Sequence, residues 1–191
     1  MNTSRRSPDE AIYQLKVSLS RSKPPIWRRL QVSSNITLYR LHQIIQIAMG
    51  WANYHLYEFE SRGTCFGEPD PDWDWDREIK SARRTRLSQL VAGEKFRFAY
   101  IYDLGDYWEH TLLVEKILSP EPDQQYPICL AGKRACPPED CGGISGYEKL
   151  LEIVSDPNHE DRKDMMEWLG GQFDPQSFSV DQVNRALRRT R

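Results

Sequence analysis

The chain has 191 residues and a mass of 22.4 kDa, with a formal net charge of −2, so it suits one large packed domain. No run approaches the roughly 20 apolar residues of a membrane helix, and the first residues, Met1 to Glu10, lack the apolar segment of a secretory signal, so the expected compartment is the cytoplasm. The two signs of charge are interspersed, which argues against a dedicated nucleic-acid binder despite basic clusters at Arg83-Arg84-Thr85-Arg86 and at Arg185 with Arg188-Arg189-Thr190-Arg191.

Residues 1–10 read as a disordered lead. Alternation over Ala11 to Leu19, with Ile12, Leu15, Val17 and Leu19 inward, predicts a strand. Lys23-Pro24-Pro25 turns the chain into a second strand, Ile26 to Val32, paired antiparallel with the first. A helix follows, capped by Thr37 or Asn35, with an apolar stripe of Leu38, Leu41, Ile44, Ile45, Ile47, Ala48 and Met49 and a stop at Gly50. His55 to Phe59 predicts a third strand. Residues 61–80, rich in Pro and Asp, are irregular, and a helical turn follows near Leu87 to Val91. A long hairpin then pairs Lys95–Tyr102 with Tyr107–Ile117 across Asp103-Leu104-Gly105-Asp106; Phe96, Phe98, Tyr100 and Tyr102 share a face, as do Trp108, His110, Leu112 and Val114. After an extended piece at Tyr126 to Leu130 and a Cys/Pro/Gly loop come helices begun by Ser145 with Glu148, by Asn158, and by Ser179 with Gln182. The expected fold is a single α+β domain over 11–191, with the sheet and main helix in 11–130 and the loop and C-terminal helices in 131–191. Its mixed or antiparallel sheet starts with a β-grasp-like strand–strand–helix–strand order. The long helix and the aromatic hairpin should bury one another.

Three blocks carry a resemblance: Pro24-Pro25-Ile26-Trp27-Arg28-Arg29 with Leu41-His42, Met49-Gly50-Trp51, His55 and Phe59; Tyr102-Asp103-Leu104-Gly105-Asp106 with Trp108 and His110; and Cys136-Pro137-Pro138-Glu139-Asp140-Cys141-Gly142-Gly143 with Gly146-Tyr147. In this order, over roughly residues 11 to 187, the chain resembles the plasmid pRiA4b ORF-3-like family. Members often carry the label of an insertion-element passenger TnpR protein. The resemblance implies a link to plasmids or mobile elements and transfers no catalytic residue; no serine or tyrosine nucleophile sits among a matching set of arginines.

Cys129, Cys136 and Cys141, with His110 or Cys65 as a fourth ligand, suit zinc in residue type, although the spacing is that of no standard finger; ordinary free thiols are the plain alternative. Asp103, Asp106 and His110 at the hairpin turn could hold a cation or act in acid–base chemistry, against the plain roles of turn former and core histidine. Asp70, Asp72, Asp74 and Asp76 alternate with Trp73 and Trp75 but fail the calcium-loop pattern, leaving an acidic, aromatic surface loop. One of Arg28 and Arg29 should pair with Glu139 or Asp140, or bind an anion, and His42 could approach His55. Three readings follow. The first is a non-enzymatic binding or accessory module that holds a protein or small polar ligand on Trp73, Trp75, Tyr102, Asp103 and Trp108, or in the groove under the C-terminal helices. The second is a metal-dependent, hydrolytic enzyme centred on His110, Asp103, Asp106, Glu139 and Asp140. A nucleic-acid-associated accessory protein is a third.

Overall fold

The computed structural model describes residues 11–68 and 78–190; the expected lead 1–10 and the tryptophans Trp73 and Trp75 lie outside them. The elements run β1 Ile12–Leu19, β2 Trp27–Ser33, α1 Leu38–Met49, β3 Tyr57–Ser61, β4 Thr64–Gly67, β5 Ile79–Ser81, α2 Leu87–Leu90, β6 Arg97–Tyr102, β7 Trp108–Leu118, β8 Ile128–Lys133, α3 Gly143–Ser155, α4 Arg162–Trp168 and α5 Val180–Arg189. The strands form one sheet in the order β5-β4-β3-β6-β7-β1-β2-β8, antiparallel throughout except for the β4–β5 pair. It is an α+β fold, and none of its described helices is long and apolar enough to cross a membrane.

The opening strand–strand–helix–strand order is present, and the third strand, β3, is set apart from β1 in the sheet. The hairpin β6–β7 lies between them, because β7 pairs along all of β1 from Ile12↔Leu118 to Leu19↔His110. Plain alternation puts Tyr13, not Ile12, in the main core beside Leu15, Val17 and Leu19, and the register shift opposite Gln14/Leu15 leaves the extra residue, Glu115, in β7.

Helix α1 covers this sheet. Thr37 caps it, its side chain accepting from the Arg40 amide at 3.1 Å, and Gly50 ends it with φ 97°. Leu38, Leu41, Ile44 and Ile45 are fully buried, each contributing about 2 kcal/mol of gross transfer free energy. Ile45 of α1 and Phe98 of β6 lie in one continuous core with Tyr100, Tyr102 and Trp108.

Two strands fall inside the stretch expected to be irregular. β3 and β4 join through Arg62 (φ 51°) and Gly63 (φ 74°), the left-handed pair of a type I′ turn. Arg-Gly is a weaker signal for that turn than Asn-Gly, and the strands are short. α3 begins at Gly143, ahead of the expected Ser145–Glu148 box, and α4 begins at Arg162 rather than near Asn158. At the far end of the sheet Asn184 of α5 binds both backbone groups of Cys129, accepting from its amide at 2.7 Å and donating to its carbonyl at 2.9 Å. At Cys129 the outer edge of β8 is thus met by a side chain rather than by another strand.

Candidate metal centre at the sheet rim

Three loops meet at the end of the hairpin: residues 51–56 between α1 and β3, residues 103–107 between β6 and β7, and residues 134–142 ahead of α3. Trp51 fastens the first to the third, its indole Nε1 donating to the Pro137 carbonyl at 3.0 Å while its ring packs on Tyr102 and Trp108 at 4.9 and 6.0 Å. The third loop docks on the hairpin turn through Asp106, whose Oδ2 accepts from the Gly142 amide at 3.1 Å. A Cβ on Gly143, at φ +65°, would stand 2.5 Å from the Asp106 carbonyl oxygen, so only glycine permits this approach.

At the junction His55 Nε2 faces three carboxylates: Asp140 Oδ1 at 3.1 Å, Glu139 Oε2 at 3.4 Å and Asp103 Oδ2 at 3.7 Å. This nitrogen is shut off from solvent and makes no directed hydrogen bond. Asp103 and Asp140 both hold left-handed backbone conformations, with φ 56° and 57°. Among the described residues, His55, Asp103 and Asp140 form the group of three potential metal ligands whose donor atoms all lie within 4.8 Å of one another. Glu139 is fixed beside them, with Oε1 accepting from the Ala52 amide at 2.6 Å and Oε2 from the Tyr102 hydroxyl at 3.0 Å. Burial, then Glu139 itself, pushes the Tyr102 phenol up, so it stays a donor. Tyr102 in turn accepts from the Tyr54 amide at 3.0 Å, which orders the loop that carries His55.

Asp103, Glu139 and Asp140 thus converge as the metal-centred reading requires, but around His55 instead of His110. His110 is fully buried, its ring edge-on to Trp51 at 5.4 Å and beside Tyr100, and burial lowers its pKa to about 4. It is a core histidine because β7 places it in phase with Trp108 and Leu112, both facing α1. Cys129, Cys136 and Cys141 do not gather with His110 into a ligand group; all are free thiols, and burial raises the pKa of each, that of Cys141 to about 12. Cys129 sits on β8 while the other two lie in the loop beyond it, so their short sequence spacing spans two surroundings. His42 does not act with His55: it stacks on Tyr57 at 3.6 Å, and its Nδ1 meets the Tyr100 hydroxyl at 2.8 Å. Arg29 pairs with Glu115 at 2.6 Å. Arg28 makes no ion pair with Glu139 or Asp140 and instead donates to backbone carbonyls. The expected third strand, His55 to Phe59, begins only at Tyr57, so His55 stands in the loop before it, between the exposed Tyr54 and Leu56, where strand periodicity gave no signal of its role.

An eight-stranded, mostly antiparallel sheet under one long helix, with a histidine–carboxylate cluster at its rim, defines the class. The sequence profile of the plasmid pRiA4b ORF-3-like protein matches residues 11–182. The chain is 39% identical over 178 residues to the uncharacterized protein y4hQ of Sinorhizobium fredii, covering 93% of this chain and 91% of that one. It is also similar to the crystal structure of a protein of unknown function, MM3350 of Methanosarcina mazei Go1, with a TM-score of 0.80 and 39% identity over 91% of this chain and 98% of that one. The chain belongs to the plasmid pRiA4b ORF-3-like family.

Proposed function

We propose that the chain is a binding module built around a divalent cation held by His55, Asp103 and Asp140, with Glu139 as a fourth ligand. The observation that carries this reading is the His55 Nε2, buried and without a directed hydrogen bond among three carboxylate oxygens at 3.1 to 3.7 Å. Ligand atoms about 2.1 Å from a shared ion stand about 3.0 Å apart at right angles and about 3.4 Å apart at tetrahedral angles. The distances around His55 have that scale. Even with His55 protonated, three carboxylates against one imidazolium leave two negative charges in excess, which a divalent ion offsets. One imidazole with carboxylates suits zinc or manganese better than calcium. A plasmid-linked or mobile-element accessory role is consistent with such a module and rests on the family's name alone.

A metal-dependent hydrolytic enzyme is the second reading. One observation favours it: the Asp140 side chain is 68% exposed, so the cluster opens to solvent on one side, where a bound ion could carry water.

Chelator-stripped protein titrated with Mn²⁺ and with Zn²⁺ by calorimetry, followed by metal analysis, tests the site. The expected result is about one ion per chain, with affinity reduced at least tenfold by His55→Ala and by Asp103→Asn. Absence of binding by either ion, or binding indifferent to His55→Ala, defeats the proposal. Turnover of phosphate or peptide esters that appears only with the ion would favour the enzymatic reading over the module.

A further inference from the structure

Arg28 is 2% exposed, among the most deeply buried side chains of the molecule. Its Nε donates to the Ala48 carbonyl at 2.7 Å, and its Nη1 donates to the carbonyls of Trp27 and Lys133 at 2.9 and 3.1 Å. The Phe178 ring lies over the guanidinium at 4.2 Å, an approach made possible by Gly132, where a Cβ would stand 2.4 Å from that ring. Nη2 makes no hydrogen bond among the described residues, and no carboxylate pairs with the group. Buried charges are normally paired, because an unpaired one forfeits hydration without recovering Coulomb energy. Carbonyl dipoles and a ring face reduce that cost without neutralising the charge.

Arg28 also forms part of the wall of a cavity of about 740 Å³ between the end of α1, the loop 135–139 and α5. The volume lies within the range of small-molecule sites. Much of the remaining wall is apolar, including Met49, Trp51, Leu169, Phe173 and Val183, and Glu139 stands in the wall as well. We infer that this cavity binds a small molecule with a single carboxylate on an apolar body, the carboxylate seated on Arg28. A phosphate dianion fits less well, since carbonyls already occupy Nε and Nη1 and Glu139 repels a second negative charge. Glu139 borders both this cavity and the cation cluster, but the carboxylate is seated on Arg28, so the two sites are tested separately, this one with the cation removed.

The test is calorimetric and thermal-shift titration of the full chain, in the presence of chelator, with octanoate and 3-phenylpropionate, their neutral amides, and inorganic phosphate. At least one carboxylate should bind and raise the melting temperature, its amide should bind at least about tenfold more weakly, and phosphate should not compete. Arg28→Gln should lose at least about tenfold in affinity for the carboxylate. Because that variant also removes three backbone hydrogen bonds, Ala186→Trp serves as the second: it fills the cavity from α5, should abolish carboxylate binding and should leave the Mn²⁺ titration unchanged. Neither carboxylate binding at millimolar concentration, amides binding as well as acids, phosphate competing, or Ala186→Trp without effect would each overturn the inference.

Discussion

His42 on α1 and His110 on β7 lie in the core, a floor shared by helix and sheet, whereas His55 stands at the rim, and the same side chain serves different ends in the two places. On the floor the rings are enclosed by Tyr57, Tyr100 and Trp51, and burial brings both pKa values to about 4, so they are neutral packing and hydrogen-bonding groups. At the rim, loops from distant parts of the chain deliver three carboxylates to one imidazole nitrogen. What sets His55 apart is the carboxylate company brought by tertiary structure, which neither His42 on its helix nor His110 on its strand has.

The sharpest way to break this contrast is to cut the tie between floor and rim. Trp51→Ala removes a ring packed on Tyr102 and Trp108 together with the bond to Pro137, and should cost about 3–5 kcal/mol in urea denaturation while weakening Mn²⁺ binding. A loss below about 1 kcal/mol would mean that the two regions are independent.

A pH series sharpens the floor side. Each floor histidine has its folded pKa depressed to about 4, against about 6.5 in the unfolded chain. Between those values the unfolded chain binds more protons, so stability is full above the window. It falls as pH drops through the window, by roughly 3 kcal/mol per histidine at its lower end. His110→Phe should remove about half of that slope in denaturation measured from pH 7 to pH 4; an unchanged slope would show that the ring is not sealed.

The smallest change in stability should come from the rim. Asp140→Asn alters an exposed carboxylate and should shift the unfolding free energy by less than about 0.5 kcal/mol, yet weaken Mn²⁺ at least tenfold. Equal, small effects on both measurements would make Asp140 a bystander.

Period and punctuation made much of this fold readable. The stripe from Leu38 to Met49, the caps Thr37 and Gly50, the two aromatic faces of the hairpin and the cap Ser179 follow from local rules and are found in place. The position of β3 was not readable, because the competition for the free edge of β1 is settled by a hairpin some forty residues further on. At the site, Asp103, Glu139 and Asp140 were legible as residue types, and Asp106 as a turn residue that proves to anchor a loop. The choice of His110 failed for a physical reason: β7 carries it inward in phase with Trp108 and Leu112, away from the rim, and the contact with Asp103 comes from a loop residue forty-eight positions before it. The acceptors of Arg28 are carbonyls, which every residue carries, so no pattern of side chains announces them.

Asn184 has a consequence for how the molecule meets its own copies. An outermost strand with free amides and carbonyls is an adhesive border, able to recruit a second sheet end to end. By satisfying both groups of Cys129, one carboxamide on α5 interrupts that border at one residue, so the terminal helix stands in the way of stacking there. A second sheet could zip along β8 past that residue only by displacing the side chain.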